Sequence, residues 1–360
     1  MTGPSDRTAL SKGNPMRPST GLAGLLLMAL ACGTERAGKG EVVLDADTLL
    51  TAASESVGRP IDLAVTPDGE LLLADMGRNQ LVLVDTAGVE RRAIGREGSG
   101  PLEFGIPRSL HVSGDSVRLV DVANARLMVF SLAGDFARTI PGPPGTANAG
   151  VAFNGRGEAL VARNGRDSAL VQRVSPDGAL GARLGTPRVP ETEVWDFTRI
   201  KADLAAGRVP QVLRNETLPA LAEDGSAWAL LFAEGEIERY SAGDSLLWRW
   251  VLPDTIAVRL REALFEANRA DTVPFRFTFP NVIAATQPRG DTLWVLLREP
   301  DGHPATLLLL GPDGAMLRRV SVPGAAGAQA FAFAPDGRTI YLLDSKEGTV
   351  VRARLPAGGS

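Results

Sequence analysis

A pattern of short strands and tight turns recurs about every 45 residues along this chain, and a four-stranded unit of that length cannot cover both of its faces unless copies stack side by side. The clearest copy occupies residues 59–95. Strand-like residues 61–66 lead to the turn Pro67-Asp68-Gly69, residues 70–75 to the loop 76–80, and residues 81–85 to the turn Thr86-Ala87-Gly88 before a last strand at 89–95. The next copy keeps the order, with strands at 109–112, 117–121, 127–130 and 136–140 and turns at Gly114-Asp115 and Ala133-Gly134. One glycine marks the first turn of each unit: Gly69, Gly114, Gly157, Gly225, Gly290 and Gly337, which makes six units. Gly88, Gly134, Gly178, Gly243 and Gly314 mark the second turn in five of them. Only 5% of residues are aromatic, against 40 glycines and 25 prolines, a composition suited to many short strands rather than long helices.

These features predict an all-β chain, a six-bladed β-propeller of four-stranded blades over residues 41–356, followed by a tail at 357–360. The sixth unit has no fourth strand after 349–355, whereas residues 41–50 have strand character ahead of the first unit. That N-terminal segment is expected to pair into the last blade and close the ring, removing an open sheet edge. The formal net charge of -4 argues against a nucleic-acid partner, which needs a clustered basic surface.

The single cysteine, Cys32, excludes an internal disulfide and a cysteine-rich metal site. It ends an uncharged run that follows Arg17, with an apolar centre at residues 22–30. A positive start, about ten apolar residues and a small-residue cleavage site describe a secretory signal, and the run is shorter than a spanning helix needs. Ala29-Leu30-Ala31-Cys32 resembles a bacterial lipobox, with Ala29 where leucine is usual, which implies lipidation of Cys32. Residues 1–32 are therefore read as an extension and lipoprotein signal, with Met16 an alternative start, and 33–40 as a tether. Gly33 stands where an inner-membrane retention signal would have aspartate, which favours the outer membrane of a bacterial envelope, facing the periplasm.

The loop Gly95-Arg96-Glu97-Gly98-Ser99-Gly100-Pro101-Leu102-Glu103-Phe104-Gly105-Ile106-Pro107, with Leu73-Ala74-Asp75 and 120–126, resembles the NHL-repeat family of six-bladed propellers. The resemblance implies the fold and leaves function open, since that family includes receptors, RNA-binding modules, lyases and bacterial lipoproteins. Phe104 is expected to fill the gap between blades and Pro107 to fix the start of the next strand. Asp75, Asp121 and Asp344 end the second strand of their units and are expected to bond the backbone of the following loop.

In such a blade the loop after the second strand and the crossing to the next blade share one face. Two long insertions, 186–216 and 253–280, both fall on crossings, so they are expected to be neighbours on that face. The second predicts a helix with Asp254 as N-cap and Ile256, Leu260 and Leu264 at four-residue spacing. After it, Phe275, Phe277 and Phe279 alternate with polar residues and share one side of an extended segment, where a core role is expected. The first insertion offers Trp195, Phe197 and Arg199 as recognition residues. Arg78, Arg96, Asp121, Arg126, Arg163, Arg166, Arg298, Asp344 and Lys346 complete the candidate set for a ligand or partner.

Two histidines, His111 and His303, leave no Ser-His-Asp set and no multi-histidine metal site. The expected function is thus non-enzymatic: a monomeric, membrane-anchored propeller without cofactor that binds an envelope protein, peptide or glycan. The alternative is a divalent-cation-dependent hydrolase or lyase acting on a small lactone or sugar acid. Such a site would suit Ca²⁺, with Asp121, Asn124, Asn154, Asn164 and Asp344 as ligand candidates.

Overall fold

The structure is a computed structural model that describes residues 41–51, 57–141, 150–190, 195–273, 276–279 and 281–356. The readings for residues 1–40, including lipidation of Cys32, lie outside the described residues, as do those for Phe275 and 357–360.

Six sheets each order their four blade strands consecutively from the axis outward. The innermost strands are Pro60–Val65, Pro107–Ser113, Val151–Phe153, Thr217–Leu221, Ile283–Arg289 and Ala330–Phe333. The chain is a six-bladed β-propeller. Why the blades stack is visible in the second strand of the first blade, Leu71–Asp75, which is buried along its whole length. Side chains alternate across a strand, so Leu71 and Leu73 pack with Tyr341 and Leu343 of blade 6, whereas Leu72 and Ala74 pack with Leu119 and Met128 of blade 2. One strand thus feeds two inter-blade cores, and each fully buried leucine contributes about 2 kcal/mol. Strands covered on both faces read as continuous apolar runs for this reason.

All six first-turn glycines have positive φ. At the second turn of blade 4 the left-handed position falls on Asp244, φ 69°, rather than on the expected Gly243. Gly95 combines φ 87° with a Cβ position only 2.2 Å from the Phe104 ring, so any side chain there would displace the aromatic plug between blades 1 and 2.

Ring closure follows the expectation with one correction. Ala46–Leu50 pairs antiparallel with Thr349–Arg354 as the outer strand of blade 6, but Val42–Val43 adds parallel to Met316–Val322 on blade 5. Leu44 explains the division, because it leaves the sheet direction and buries itself in the core between blades 5 and 6.

The insertions carry two helices: α1, Phe197–Ala205, and α2, Asp254–Ala270. Asp254 is the first helical residue of α2 rather than its cap, and Pro253 holds the cap position. Ile256, Ala257, Leu260 and Leu264 pack on blades 4 and 5, so α2 covers that part of the rim. Helix α1 rests on α2 through Ile200, Leu204 and Phe265.

Candidate ligand-binding face

Each inner strand begins on the insertion-bearing face, so residue order along the strands reads as depth along the axis. They enclose a channel of about 780 Å³. Its upper wall is polar and charged: Arg59, Asp62, Arg108, Glu216, Asn281 and Arg298 lie there. Its far end is apolar, with Val65, Val112, Phe153, Leu221 and Phe333.

Irregularities in the inner strands shape the upper wall. Register shifts occur between Pro60 and Asp62, opposite Val120 in blade 2, and between Ile283 and Ala285. In blade 2, Ser109 has φ 51° and Leu110 N–H turns from the ladder to donate to Asp62 Oδ2 at 2.8 Å, joining two adjacent blades. Asp62 also accepts Leu63 N–H at 2.9 Å. Burial pushes the Asp62 carboxyl up to about 6, although the two amides and nearby Arg108 favour its ionised form. Burial likewise pushes Glu216 up to about 7 against the influence of Arg166, and Asn164 donates to it at 2.8 Å. His111 is pushed down to about 4 by burial and by Arg118, so it is neutral at physiological pH.

At the mouth stand four rings contributed by the two insertions. Trp195 lies 6.4 Å from both Phe197 and Phe279, Phe197 lies 6.0 Å from Phe277, and Phe277 lies 4.8 Å from Phe279. Phe279 also lines the channel. Phe277 is half-buried, as a core role requires, but Trp195, Phe197 and Phe279 are 40%, 42% and 43% exposed. The row is held from below by Asn268 of α2, whose buried amide accepts Thr278 N–H at 2.8 Å and donates to Thr278 O at 2.9 Å.

The insertions are fixed rather than free. Arg188 donates to Glu236 at 2.7 Å and Glu238 at 2.8 Å, while Arg249 and the Tyr240 hydroxyl also donate to Glu238. Arg259 of α2 forms a two-pronged pair with Glu299 at 2.5 and 3.0 Å.

Several sequence-predicted residues hold loops. Asp121 accepts Gly105 and Ile106 N–H, Asn124 Nδ2 and Arg126 Nε, at 2.9, 3.2, 2.6 and 3.1 Å. Arg126 in turn donates to the carbonyls of Ser99, Gly100 and Glu103, so the NHL-like residues clamp the crossing between blades 1 and 2. Asp75 accepts four backbone N–H groups, from Gly58, Arg59, Gly77 and Arg78, and Asp344 accepts those of Lys346 and Glu347. Arg96 pairs with Glu103, Arg163 with Asp167 and Lys346 with Asp301. Arg78 is exposed on the loop of blade 1, Arg166 lies near Glu216, and Arg199 is exposed on α1. Arg298 lies where the channel meets a smaller pocket of about 260 Å³ that includes Asp344 and Lys346. Asn154 bonds Glu158 across a first turn, at the opposite end of the blade from Asp121, Asn124 and Asp344. Among the described residues no three His, Cys, Asp or Glu side chains gather to hold a metal ion.

Comparison with known proteins agrees with the architecture. Residues 48–149 match the model of a family described as a 6-bladed beta-propeller. No curated protein matches the chain. Among solved structures, the chain is similar to a streptogramin B lyase at 12% identity, covering 87% of this chain and 98% of that one with a TM-score of 0.51. It is similar to virginiamycin B lyase from Staphylococcus aureus at 12% identity, over 87% and 100% of the two chains with a TM-score of 0.50. U3-55K gives 11% identity, 86% and 98% coverage and a TM-score of 0.54. Likeness at this identity shows the fold alone.

The site residues that sequence reasoning missed are Arg59, Arg108, Asp62 and Glu216. Arg59 and Arg108 flank the prolines that open two inner strands, Pro60 and Pro107, a repeat-wise coincidence readable in the sequence. Asp62 shows as a carboxylate inside an otherwise apolar inner strand.

Proposed function

We propose that this chain is a lipid-anchored, non-enzymatic binding propeller of the bacterial envelope, more specifically of the outer membrane facing the periplasm. It captures a protein, peptide or glycan partner with the face that carries both insertions. One observation carries the reading: a row of aromatic rings, three of them substantially exposed, is held by α2 and Asn268 beside the mouth of a polar channel. Flat, rigid side chains on a fixed scaffold bind at small cost in conformational entropy, and their exposure leaves contact area to be covered by a partner. The anchor at Cys32 belongs to the same proposal, and a Cys32→Ser chain that still partitions with membranes would overturn it.

The test is capture by cross-linking in intact envelopes with the full chain. A Trp195→Ala/Phe279→Ala variant is expected to keep its melting temperature and to lose the partner that the unaltered chain captures. Unchanged capture would remove the aromatic row from recognition. The alternative, a cation-dependent hydrolase or lyase, has less support, since its candidate ligands are engaged in loop bonds or lie at opposite ends of the blades.

A further inference from the structure

We propose that the end of the propeller opposite the insertions docks on the bilayer, with the second-turn ends of blades 4 and 5 against zwitterionic phospholipid. The inference rests on the anchor at Cys32 and says how the anchored chain sits: its insertion-bearing face is turned away from the membrane.

The first observation is where apolar side chains stay uncovered. The outer strand of blade 4, Leu246–Val251, reads LLWRWV, whereas its counterpart in blade 1, Glu90–Ile94, opens on Glu-Arg-Arg. Leu246 and Leu247 are each 51% exposed, and Leu317, the counterpart of Leu247 in blade 5, is 43% exposed. Trp248 joins the two blades: its indole N–H donates to Pro312 O at 2.8 Å, and its ring lies 3.1 Å from the Cβ position of Gly314 in the second turn of blade 5. Leu317 lies equally close to Gly311 in the same turn. Helix α2 covers the rim of these blades nearer the insertions, so this patch is the part left bare. Val89, Phe136 and Leu180 are exposed within two residues of the second-turn glycines Gly88, Gly134 and Gly178 of blades 1 to 3. Apolar side chains set singly around a ring, with one denser sector, suit a flat surface rather than a pocketed partner. Leucine and tryptophan beside arginine are residues that settle at a membrane interface.

A second, independent observation is the direction from which the chain arrives. Met316–Val322 starts at the second turn of blade 5 and runs toward the insertions. Val42–Val43 lies parallel to it, with Val42 opposite Val320, so the chain enters the fold travelling from the second-turn end. Cys32 precedes Glu41 by nine residues, which a fully extended chain spans in about 30 Å at most. Lipid at Cys32 therefore keeps this end of blade 5 within reach of the bilayer, and the tether makes effectively intramolecular a contact too weak to hold the chain by itself.

Charge selects the kind of lipid. Asp85 pairs with Arg91 and Asp244 with Arg173, while Asp313 accepts Ala315 N–H in its own turn and Arg249 and Arg318 stand on the adjoining outer strands. A rim of both signs meets the phosphate and ammonium of a zwitterionic headgroup together, and its carboxylates disfavour a purely anionic surface.

The experiment reconstitutes the lipidated full chain in vesicles of phosphatidylcholine brominated in its acyl chains, which quenches tryptophan at the interface. Trp195 and Trp248 stand at opposite ends of the propeller, so their signals separate. The unaltered chain is expected to be quenched, Trp248→Phe to lose at least half of that quenching, and Trp195→Phe to keep it. Leu247→Glu/Leu317→Glu alters exposed side chains, so it should melt as the unaltered chain does and also lose at least half of the quenching. Added salt should leave the signal in place, because the contact is apolar. Quenching carried by Trp195, or quenching that requires added phosphatidylglycerol, would overturn the inference. So would a dimer of the lipidated chain in detergent that Leu247→Glu/Leu317→Glu splits, since the patch would then face a second copy. A lipidated chain that is not quenched overturns this orientation and leaves the anchor standing; a chain recovered without lipid at Cys32 overturns both.

Discussion

Replacing Asp121 by alanine should cost about 4–6 kcal/mol, because it removes the acceptor for four donors at once. The carboxylate is fully buried, and its partner Arg126 has a side chain only 13% exposed. Breaking a buried pair by deleting one member costs about 3–5 kcal/mol, since a charge is left behind without compensation. Two backbone amides, Gly105 and Ile106, lose their acceptor as well and add about 1 kcal/mol after rehydration. Unfolding entropy near 2.1 cal/mol/K per residue gives about 0.6 kcal/mol/K for a domain of about 300 residues, so the melting temperature should fall by about 6–10 °C. Thermal melts followed by circular dichroism on the purified chain provide the measurement. An Arg126→Met partner variant completes a double-mutant cycle, with a coupling of at least about 1 kcal/mol expected. A fall of less than 2 °C, or additive effects in the cycle, would refute the clamp. A drop in ligand affinity with the melt unchanged would instead return Asp121 to the binding set in which its sequence position first put it.

Gly95→Ala should destabilise by about 3 kcal/mol, read in the same melts, because a β-carbon at φ 87° must displace the Phe104 ring. The raised carboxyls of Asp62 and Glu216 predict a pH effect of definite sign: above the unfolded values near 4 the folded chain holds protons that the unfolded chain has released. Their contribution to stability is therefore full at low pH and is lost as pH rises through about 6 and 7. Asp62→Asn/Glu216→Gln should flatten that decline, and an unchanged difference in melting temperature between pH 4 and pH 8 would count against it. Asn268→Ala should loosen the row at Phe277 and Phe279 and weaken partner capture more than it lowers the melting temperature, because the lost bonds to Thr278 tie down a loop segment rather than a blade. EDTA is expected to leave the melting temperature unchanged, whereas a rise of several degrees on adding calcium would favour the cation-dependent alternative.

The fold was legible because a propeller repeats its constraints. Turns such as Pro67-Asp68-Gly69 recur with the blades, and strands such as Leu71–Asp75 record burial on both faces as unbroken apolar runs. Helix α1 had a signal that went unused: Asp196 accepts Arg199 N–H as N-cap, and Ile200 and Leu204 follow at helical spacing. The candidate site was less legible. Charge and loop position alone nominated Asp121, Arg126 and Asp344, but backbone hydrogen bonding engages the same residue types at the same turns. Conversely, Asp62 owes its raised pKa to burial in the channel wall, and the amide that opposes the rise is freed by a bulge in the neighbouring blade, 48 positions away in the chain. The aromatic row forms because Trp195 and Phe279 belong to different insertions brought together over one rim, a contact that no local pattern encodes.

The seam where Ala46–Leu50 meets Thr349–Arg354 also sets an order of events. Ala46–Leu50 leaves the ribosome ahead of all six inner strands yet is the last to find its partner, since that partner lies at the other end of the propeller sequence. Until then the blades stand as an open arc with two bare edges, and closing it means restricting a loop of about 300 residues, an entropic cost that grows slowly with length but delays the step. A nascent or truncated chain lacking the last blade would therefore present its strand edges to other molecules, so aggregation of C-terminal truncations should begin at the seam rather than in the covered interior.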